Sequence, residues 1–182
     1  MSPHLVTPVN DADHVAGTAD APITLVEYGD FECPHCGRAH PILQQLQDRM
    51  GPDLRLVFRN FPVRESHPHA EHAAEAAESA AEQGEFWAMH DQIFEHQDAL
   101  EDEDLLEYAA AIGLDPDAVA EDLDAGAFAG KVRDDFMDGV RSGVNGTPTF
   151  FVNGERYDGD WRDPAVFERG LREAAGRSRS GA

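Results

Sequence analysis

The chain has 182 residues, and its 36 Asp and Glu against 14 Lys and Arg give a formal net charge of −22. Such an acidic chain is not expected to bind nucleic acid, because phosphate backbones attract basic surfaces. Hydrophobic residues make up 41% of the chain and include 10 Phe, which is enough to form a core. We therefore predict one globular domain that carries an insertion.

No apolar run approaches the length that a membrane-spanning helix needs. The longest runs, 23–26 and 149–152, fall well short of about 20 residues. The first ten residues lack the basic start and apolar stretch of a secretion signal. The sequence therefore predicts a cytoplasmic monomer, or a periplasmic or other extracytoplasmic protein if the start is processed.

The first third of the chain predicts a βαβ unit. Segment 23–29 is apolar and β-branched, which is typical of a buried strand, and 54–61 predicts a second strand. Between them, a helix is expected to begin at Pro34 and to stop at Gly51-Pro52. The crossover between the two strands is expected to be right-handed.

The middle of the chain differs in composition from both flanks. Residues 65–130 carry 19 Asp and Glu and no Lys or Arg, and their apolar residues recur at helical spacing. We interpret 65–142 as a helical insertion.

After this insertion, the sequence predicts a hairpin and a helix. The hairpin spans 149–157, because Asn153-Gly154 accepts the positive φ angles of a type I′ turn. The helix is expected over 163–175. The terminal segments are interpreted as an extended lead-in (1–22), with an edge strand at 14–16, and a flexible tail (176–182).

The two cysteines lie in the run Cys33-Pro34-His35-Cys36, where the first predicted strand gives way to the helix. Amide groups and the dipole of a helix N-terminus stabilise a thiolate at Cys33, and His35 helps to hold the negative charge. Cys36 lies one turn along, near enough to form a disulfide. The alternatives are a zinc site with His40, which would lack a fourth ligand, and a pair without chemistry.

The whole pattern resembles the DsbA-like thiol-disulfide oxidoreductases of the thioredoxin superfamily. The sequence Cys-Pro-His-Cys is typical of the DsbA branch, and the run from Glu27 to Cys36 is similar to that of bacterial members of this length. A Gly-Thr-Pro-Thr segment at 146–149, before the hairpin, strengthens the resemblance.

The resemblance covers about residues 23–175 and implies an α/β thioredoxin-like fold (βαβ…ββα) with a helical insertion. The implied domains are a discontinuous thioredoxin-like domain (23–64 and 143–175) and the insertion (65–142). The implied activity is exchange of disulfides with protein substrates through a mixed disulfide on Cys33, resolved by Cys36, with no cofactor and no metal.

Further site residues also follow from the resemblance. Thr147 and Pro148 are expected to form a cis-proline loop that binds an extended substrate segment. Glu27, which alternates onto the apolar strand face, is expected to move protons for Cys36; the alternative is a solvated glutamate at a strand end. Helix-start reasoning agrees that Cys33 should be the exposed cysteine with a lowered pKa, while Cys36 turns inward.

A cluster of histidines, His67, His69 and His72, stands at the start of the insertion. On a helix, only His69 and His72 would share a face, so a helix-start cluster is favoured over a metal site.

We therefore predict a dithiol–disulfide oxidoreductase whose partners are cysteine-containing polypeptides and a redox partner. Exchange is reversible, so reductase activity competes with oxidase activity. The rival interpretation is a non-enzymatic, chaperone-like module that binds extended polypeptides. The helix start and His35 predict that the cysteine pair is oxidising.

Overall fold

The computed structural model describes residues 4–180. Its strands in this range are β1 (His14–Ala16), β2 (Ile23–Gly29), β3 (Leu54–Asn60), β4 (Thr149–Val152) and β5 (Glu155–Tyr157). They form one sheet in the order β1-β3-β2-β4-β5. β1 is antiparallel to β3, and β4 is antiparallel to both β2 and β5. The predicted edge strand at 14–16 is confirmed.

Seven α-helices lie within the same described range. They are α1 (Pro34–Met50), α2 (Ala70–Glu82), α3 (Phe86–Glu95), α4 (Asp102–Ala111), α5 (Pro116–Ala125), α6 (Ala129–Arg141) and α7 (Pro164–Ser180). Helices α2 to α6 fall between β3 and β4, where the acidic, alanine-rich sequence predicts them. The expected order βαβ, helices, ββα is therefore confirmed.

The chain forms two compact units. The first, called here the sheet unit, contains the chain up to Tyr28, Arg38–Arg59 and the chain from Asp138 on. The second, called the helical unit, contains Gly29–Gly37 and Asn60–Met137.

The sheet unit has an aromatic core between β4, β5 and α7. The ring of Phe167 lies 5.1 Å from that of Phe150 and 5.3 Å from that of Tyr157, measured between centroids. Asn153 and Gly154 have φ angles of 49° and 87°, which suit the predicted type I′ turn. The hairpin thus holds β4 and β5 at the register that buries Phe150.

The helical unit packs α2 against α3, α4 and α5. One face of α2 consists of small, fully or almost fully buried residues, which lets the neighbouring helices approach closely: Ala70, Ala73, Ala74, Ala76, Ala77 and Ala80. At the edge of this core, the amide of Asn60 donates to Glu78 (2.7 Å) and to Asp135 (3.0 Å). Burial raises the pKa of Asp135, although the ammonium group of Lys131 lies 2.6 Å from it and opposes the rise.

The unit boundaries differ from the domain boundaries expected at 65 and 142. The helical unit contains the cysteine segment 29–37, and its main part runs from Asn60 to Met137. The physical reason lies in side-chain contacts: the Phe31 ring packs 4.8 Å from that of Phe94, and the Asp30 carboxylate accepts the amide of Val63. Contacts of this kind, between residues far apart in the sequence, carry no local sequence signal.

The C-terminal tail expected over 176–182 is helical as far as Ser180, and residues 181 and 182 lie outside the described range. Helix α7 continues to Ser180, and Gly176 does not end it. Ala175 is buried, and the hydroxyl groups of Ser178 and Ser180 donate to the carbonyls of Ala174 and Gly176. The helix therefore extends one turn beyond the buried Ala175.

Within the sheet unit, a buried arginine on β3 holds the described part of the lead-in, 4–22; residues 1–3 lie outside the described range. The guanidinium of Arg59 bonds Asp13 at 2.7 and 2.8 Å, Asp138 at 2.8 Å and the Tyr28 hydroxyl at 3.0 Å. It also donates to the backbone carbonyl of Thr7 (2.9 Å). The Arg59, Asp13 and Asp138 side chains are each at most 8% exposed, so their charges depend on one another.

No helix in the described part of the chain combines the length and the apolar character required to cross a bilayer.

Replacing Arg59 by Met should destabilise the fold by about 3–5 kcal/mol, because it removes the buried cation that the carboxylates of Asp13 and Asp138 share. The measurement is the free energy of unfolding in urea. Arg49→Met is the matched control: its ion pair with Glu168 is 47% exposed at the arginine, so its loss should cost about 1 kcal/mol or less. Equal losses in the two variants would contradict this account.

Candidate dithiol site

The cysteine pair lies at the junction of β2 and α1. Cys33 immediately precedes α1, and its carbonyl accepts the amide of Gly37 at 3.0 Å, so Cys33 is the N-cap residue of the helix. Pro34 occupies the first helical position, where a missing amide proton costs nothing. A negative charge on the Cys33 sulfur would therefore lie at the positive end of the helix dipole.

One of the two cysteines, Cys33, is less exposed than the sequence suggested. Cys36 is fully buried as expected, but Cys33, expected to be exposed, is only 5% accessible. Pro34 and His35 are exposed. Cys33 is therefore only slightly more accessible than Cys36.

One reason for this burial is Gln97, which lies in the same unit and packs on the cysteine turn. Its side-chain amide donates to the carbonyls of Phe31 (2.7 Å) and Cys33 (2.9 Å). Gly37 leaves room for it, because a Cβ at that position would lie 2.0 Å from the Gln97 oxygen. Sequence reasoning missed Gln97, since nothing local relates it to a turn more than 60 residues away.

Asp30, three residues before Cys33, organises the turn. One carboxylate oxygen accepts the amide of Glu32 at 2.8 Å; the other accepts the amide of Val63 at 2.8 Å and lies 2.7 Å from Nδ1 of His67. The Asp30 side chain has no exposed surface. The backbone amide of Asp30 donates to the sulfur of Cys36 at 3.5 Å.

A second acidic residue of the turn, Glu32, binds the same neighbouring segment. Its carboxylate accepts the backbone amide of His69 at 2.7 Å. Together, Asp30 and Glu32 thus fix the cysteine turn to the segment that leads from β3 into α2. Sequence reasoning missed both acids; the signal that could have found them is a carboxylate in the turn immediately before a helix.

The three histidines at the start of the insertion have separate partners. His67 bonds Asp30, His72 bonds Asp102 at 2.7 Å, and His69 lies 3.6 Å from Glu101. Among the described residues they do not form a metal-binding group. The structure therefore agrees with a helix-start cluster.

Glu27 is 2% exposed, so the alternative of a solvated glutamate is wrong. It lies on β2 opposite Phe150 of β4, itself buried. A carboxylate in such a position is costly unless it is paired or hydrogen-bonded.

The loop before β4 has the expected backbone. The Thr147–Pro148 peptide bond is cis, both residues are half-buried, and the hydroxyl of Thr149 donates to the Gly146 carbonyl at 2.7 Å.

Comparison with known proteins agrees with this architecture. A model of the family Thioredoxin_4, described as thioredoxin, matches residues 9–168. The structure is similar to oxidised BdbD from Bacillus subtilis, with a TM-score of 0.84 and 24% identity over 97% of this chain and 100% of the other. It is also similar to a thioredoxin-like oxidoreductase from Silicibacter pomeroyi, with a TM-score of 0.80 and 29% identity over 95% of each chain. The expected thioredoxin-like fold is thus confirmed.

Curated relatives include the Na(+)/H(+) antiporter NhaA 3 of Salinispora tropica, which is 48% identical over 163 residues. That alignment covers 89% of this chain but only 25% of the relative. The chain therefore spans about a quarter of the length of the curated relatives it matches.

Proposed function

The chain belongs to the thioredoxin family, and on that basis we propose that it is a DsbA-like enzyme that exchanges disulfides with protein substrates. The observation that supports this most is the position of Cys33 as the N-cap of α1, with Cys36 one turn along. A helix N-terminus stabilises the thiolate, which is the nucleophile in disulfide exchange.

In the reductive direction, the thiolate of Cys33 attacks one sulfur of a substrate disulfide. The substrate S–S bond breaks, a mixed disulfide forms on Cys33, and one substrate thiolate leaves. Cys36 then loses its proton and attacks the sulfur of Cys33. The mixed disulfide breaks, the second substrate thiolate leaves, and the Cys33–Cys36 disulfide forms. Two electrons have passed to the substrate, one proton has been released by Cys36, and the substrate thiolates take up protons from solvent.

In the oxidative direction, the same steps run in reverse, and the Cys33–Cys36 disulfide accepts two electrons from a substrate dithiol. A redox partner must then restore the starting state of the pair. The partners we propose are therefore cysteine-containing polypeptides and one thiol-disulfide exchange protein or small thiol. The potential of the pair relative to its compartment determines the direction.

The division of labour between the cysteines predicts different trapping. Cys36→Ala should accumulate mixed disulfides through Cys33, because the resolving thiol is missing, whereas Cys33→Ser should accumulate far fewer. Non-reducing gels of protein incubated with a disulfide-containing substrate measure this. Equal trapping by both variants would contradict the assignment.

The same variants separate an enzyme from a polypeptide-binding module. Wild type should accelerate the reduction of insulin by dithiothreitol, and Cys33→Ser should not. Equal rates for wild type and Cys33→Ser would favour the binding module.

We also propose that Glu27 accepts the proton that Cys36 releases before its attack. Its burial supports this role, since a proton moving within the fold needs an acceptor away from bulk water.

Thr147 and Pro148 are proposed to bind an extended substrate segment through their backbone, which their partial exposure allows.

Glu27→Gln should therefore slow resolution of the mixed disulfide and leave the initial attack by Cys33 nearly unchanged. Loss of a general base typically costs about 10²–10⁴-fold in the proton-transfer step. Stopped-flow measurements of the two steps test this, with Glu155→Gln on the exposed start of β5 as the control. Two unchanged rates would exclude the proton-transfer role.

A second candidate concerns the partner. Proteins named Na(+)/H(+) antiporters contain a region 48% identical to this chain, alongside about three times as much other sequence. Two functions carried by one polypeptide commonly act together, so we propose that the chain acts on, or as part of, such an antiporter. Trapping with Cys36→Ala in host membranes should then retain the antiporter. Recovery of other proteins alone would contradict this partnership.

A further inference from the structure

His67 lies against the cysteine turn in a way that the exchange reaction, as proposed, does not use. Its imidazole is 20% exposed, and Nδ1 lies 2.7 Å from the buried carboxylate of Asp30. The backbone of His67 is fixed as well, since its amide donates to the carbonyl of Val63 at 2.9 Å. The amide of Val63 in turn donates to Asp30, so this pair is anchored at both ends.

We propose that His67 is a positioning residue for the dithiol: held by Asp30, its imidazolium stabilises the thiolate of Cys33. This inference rests on the proposed exchange reaction, because it concerns the nucleophile of that reaction. Asp30 alone would have the opposite effect, since a buried carboxylate three residues from Cys33 disfavours a second negative charge nearby. Pairing with His67 compensates that charge.

The electrostatics of His67 support this role. Burial lowers the pKa of His67, but the hydrogen bond to Asp30 and the negative charges of Asp30, Cys33 and Glu32 outweigh it, so that the pKa is raised overall. Coupling between two titrating groups is reciprocal. If the Cys33 thiolate favours the imidazolium, the imidazolium favours the thiolate by the same free energy.

The remaining charged groups near His67 have other partners. On its own segment, Arg64 pairs with Glu71, and His69 lies 3.6 Å from Glu101, the residue before α4. From the cysteine turn, Asp30 bonds His67 directly, and the negative charges of Cys33 and Glu32 also act on it. His67 is thus the cationic side chain bonded directly to the carboxylate that organises the turn.

The sign of the pH dependence follows from this arrangement. His67 keeps its charge up to a pH above its ordinary value of about 6.5, and loses it as the pH rises through its raised pKa. The stabilisation of the Cys33 thiolate is therefore present below that pKa and lost above it.

The first test compares His67→Gln with His72→Gln. His72 is a matched control, because it also bonds a carboxylate at 2.7 Å, that of Asp102, but the charges that raise its pKa do not include Cys33. The midpoint of thiolate absorbance against pH should rise by about one unit in His67→Gln, a typical effect of losing a nearby opposite charge. It should stay unchanged in His72→Gln.

In glutathione buffers, a rise of about one unit should make the cysteine pair of His67→Gln about tenfold less oxidising at pH values above the Cys33 pKa and below the His67 pKa, where Cys33 is ionised and His67 is charged. An unchanged midpoint in His67→Gln, or an equal rise in both variants, would overturn the proposal.

A second test uses wild-type protein and so does not depend on the folding of a variant. Imidazole resonances followed by NMR should give a lower His67 pKa in the oxidised protein than in the reduced one, because the disulfide removes the thiolate. His72 should titrate alike in both. Equal His67 values in the two redox states would overturn the inference. Failure of the proposed function is distinguishable, since it would appear as absent insulin reduction with the His67 coupling intact.

Discussion

The burial of one carboxylate, that of Asp30, is the constraint on which the dithiol site depends. A buried charge is costly unless it is paired and fully hydrogen-bonded, and Asp30 is bonded by two backbone amides and one imidazole. Those bonds join the turn that carries Cys33 to the segment after β3. The position of the cysteines at the start of α1 is therefore fixed by polar contacts, and the apolar packing of Phe31 adds to them.

In each of the two units, a buried charged side chain fixes the position of an irregular segment. In the sheet unit, Arg59 binds both Asp13 and Asp138, and so fixes the segment of the lead-in that carries Asp13. In the helical unit, Asp30 and Glu32 fix the segment 63–69 through its backbone amides and His67. In both cases, a buried charge specifies where an irregular segment lies, which an apolar contact would define less sharply.

Much of the fold follows from local sequence, because strands, helices and turns each have a local pattern. The hairpin at Asn153-Gly154 and the helix start at Pro34 are examples. The contacts that complete the site are not local: His67 lies 37 positions from Asp30, and Gln97 lies 64 from Cys33. No periodicity or motif relates such pairs. The near burial of Cys33 and the inclusion of 29–37 in the helical unit depend on these contacts, and so were not predicted.

The redox character of the pair tests most directly whether local interactions outweigh the charge of the whole protein. The helical unit holds the strongly acidic segment 65–130, which by itself would oppose a thiolate. Exposed charges beyond about 10 Å are largely screened at 0.1 M salt, whereas the helix start and its immediate partners are not. Equilibration of the Cys33–Cys36 pair in glutathione buffers measures the outcome. The account predicts a potential more oxidising than about −270 mV, the thioredoxin value; a potential at or below it would contradict the account.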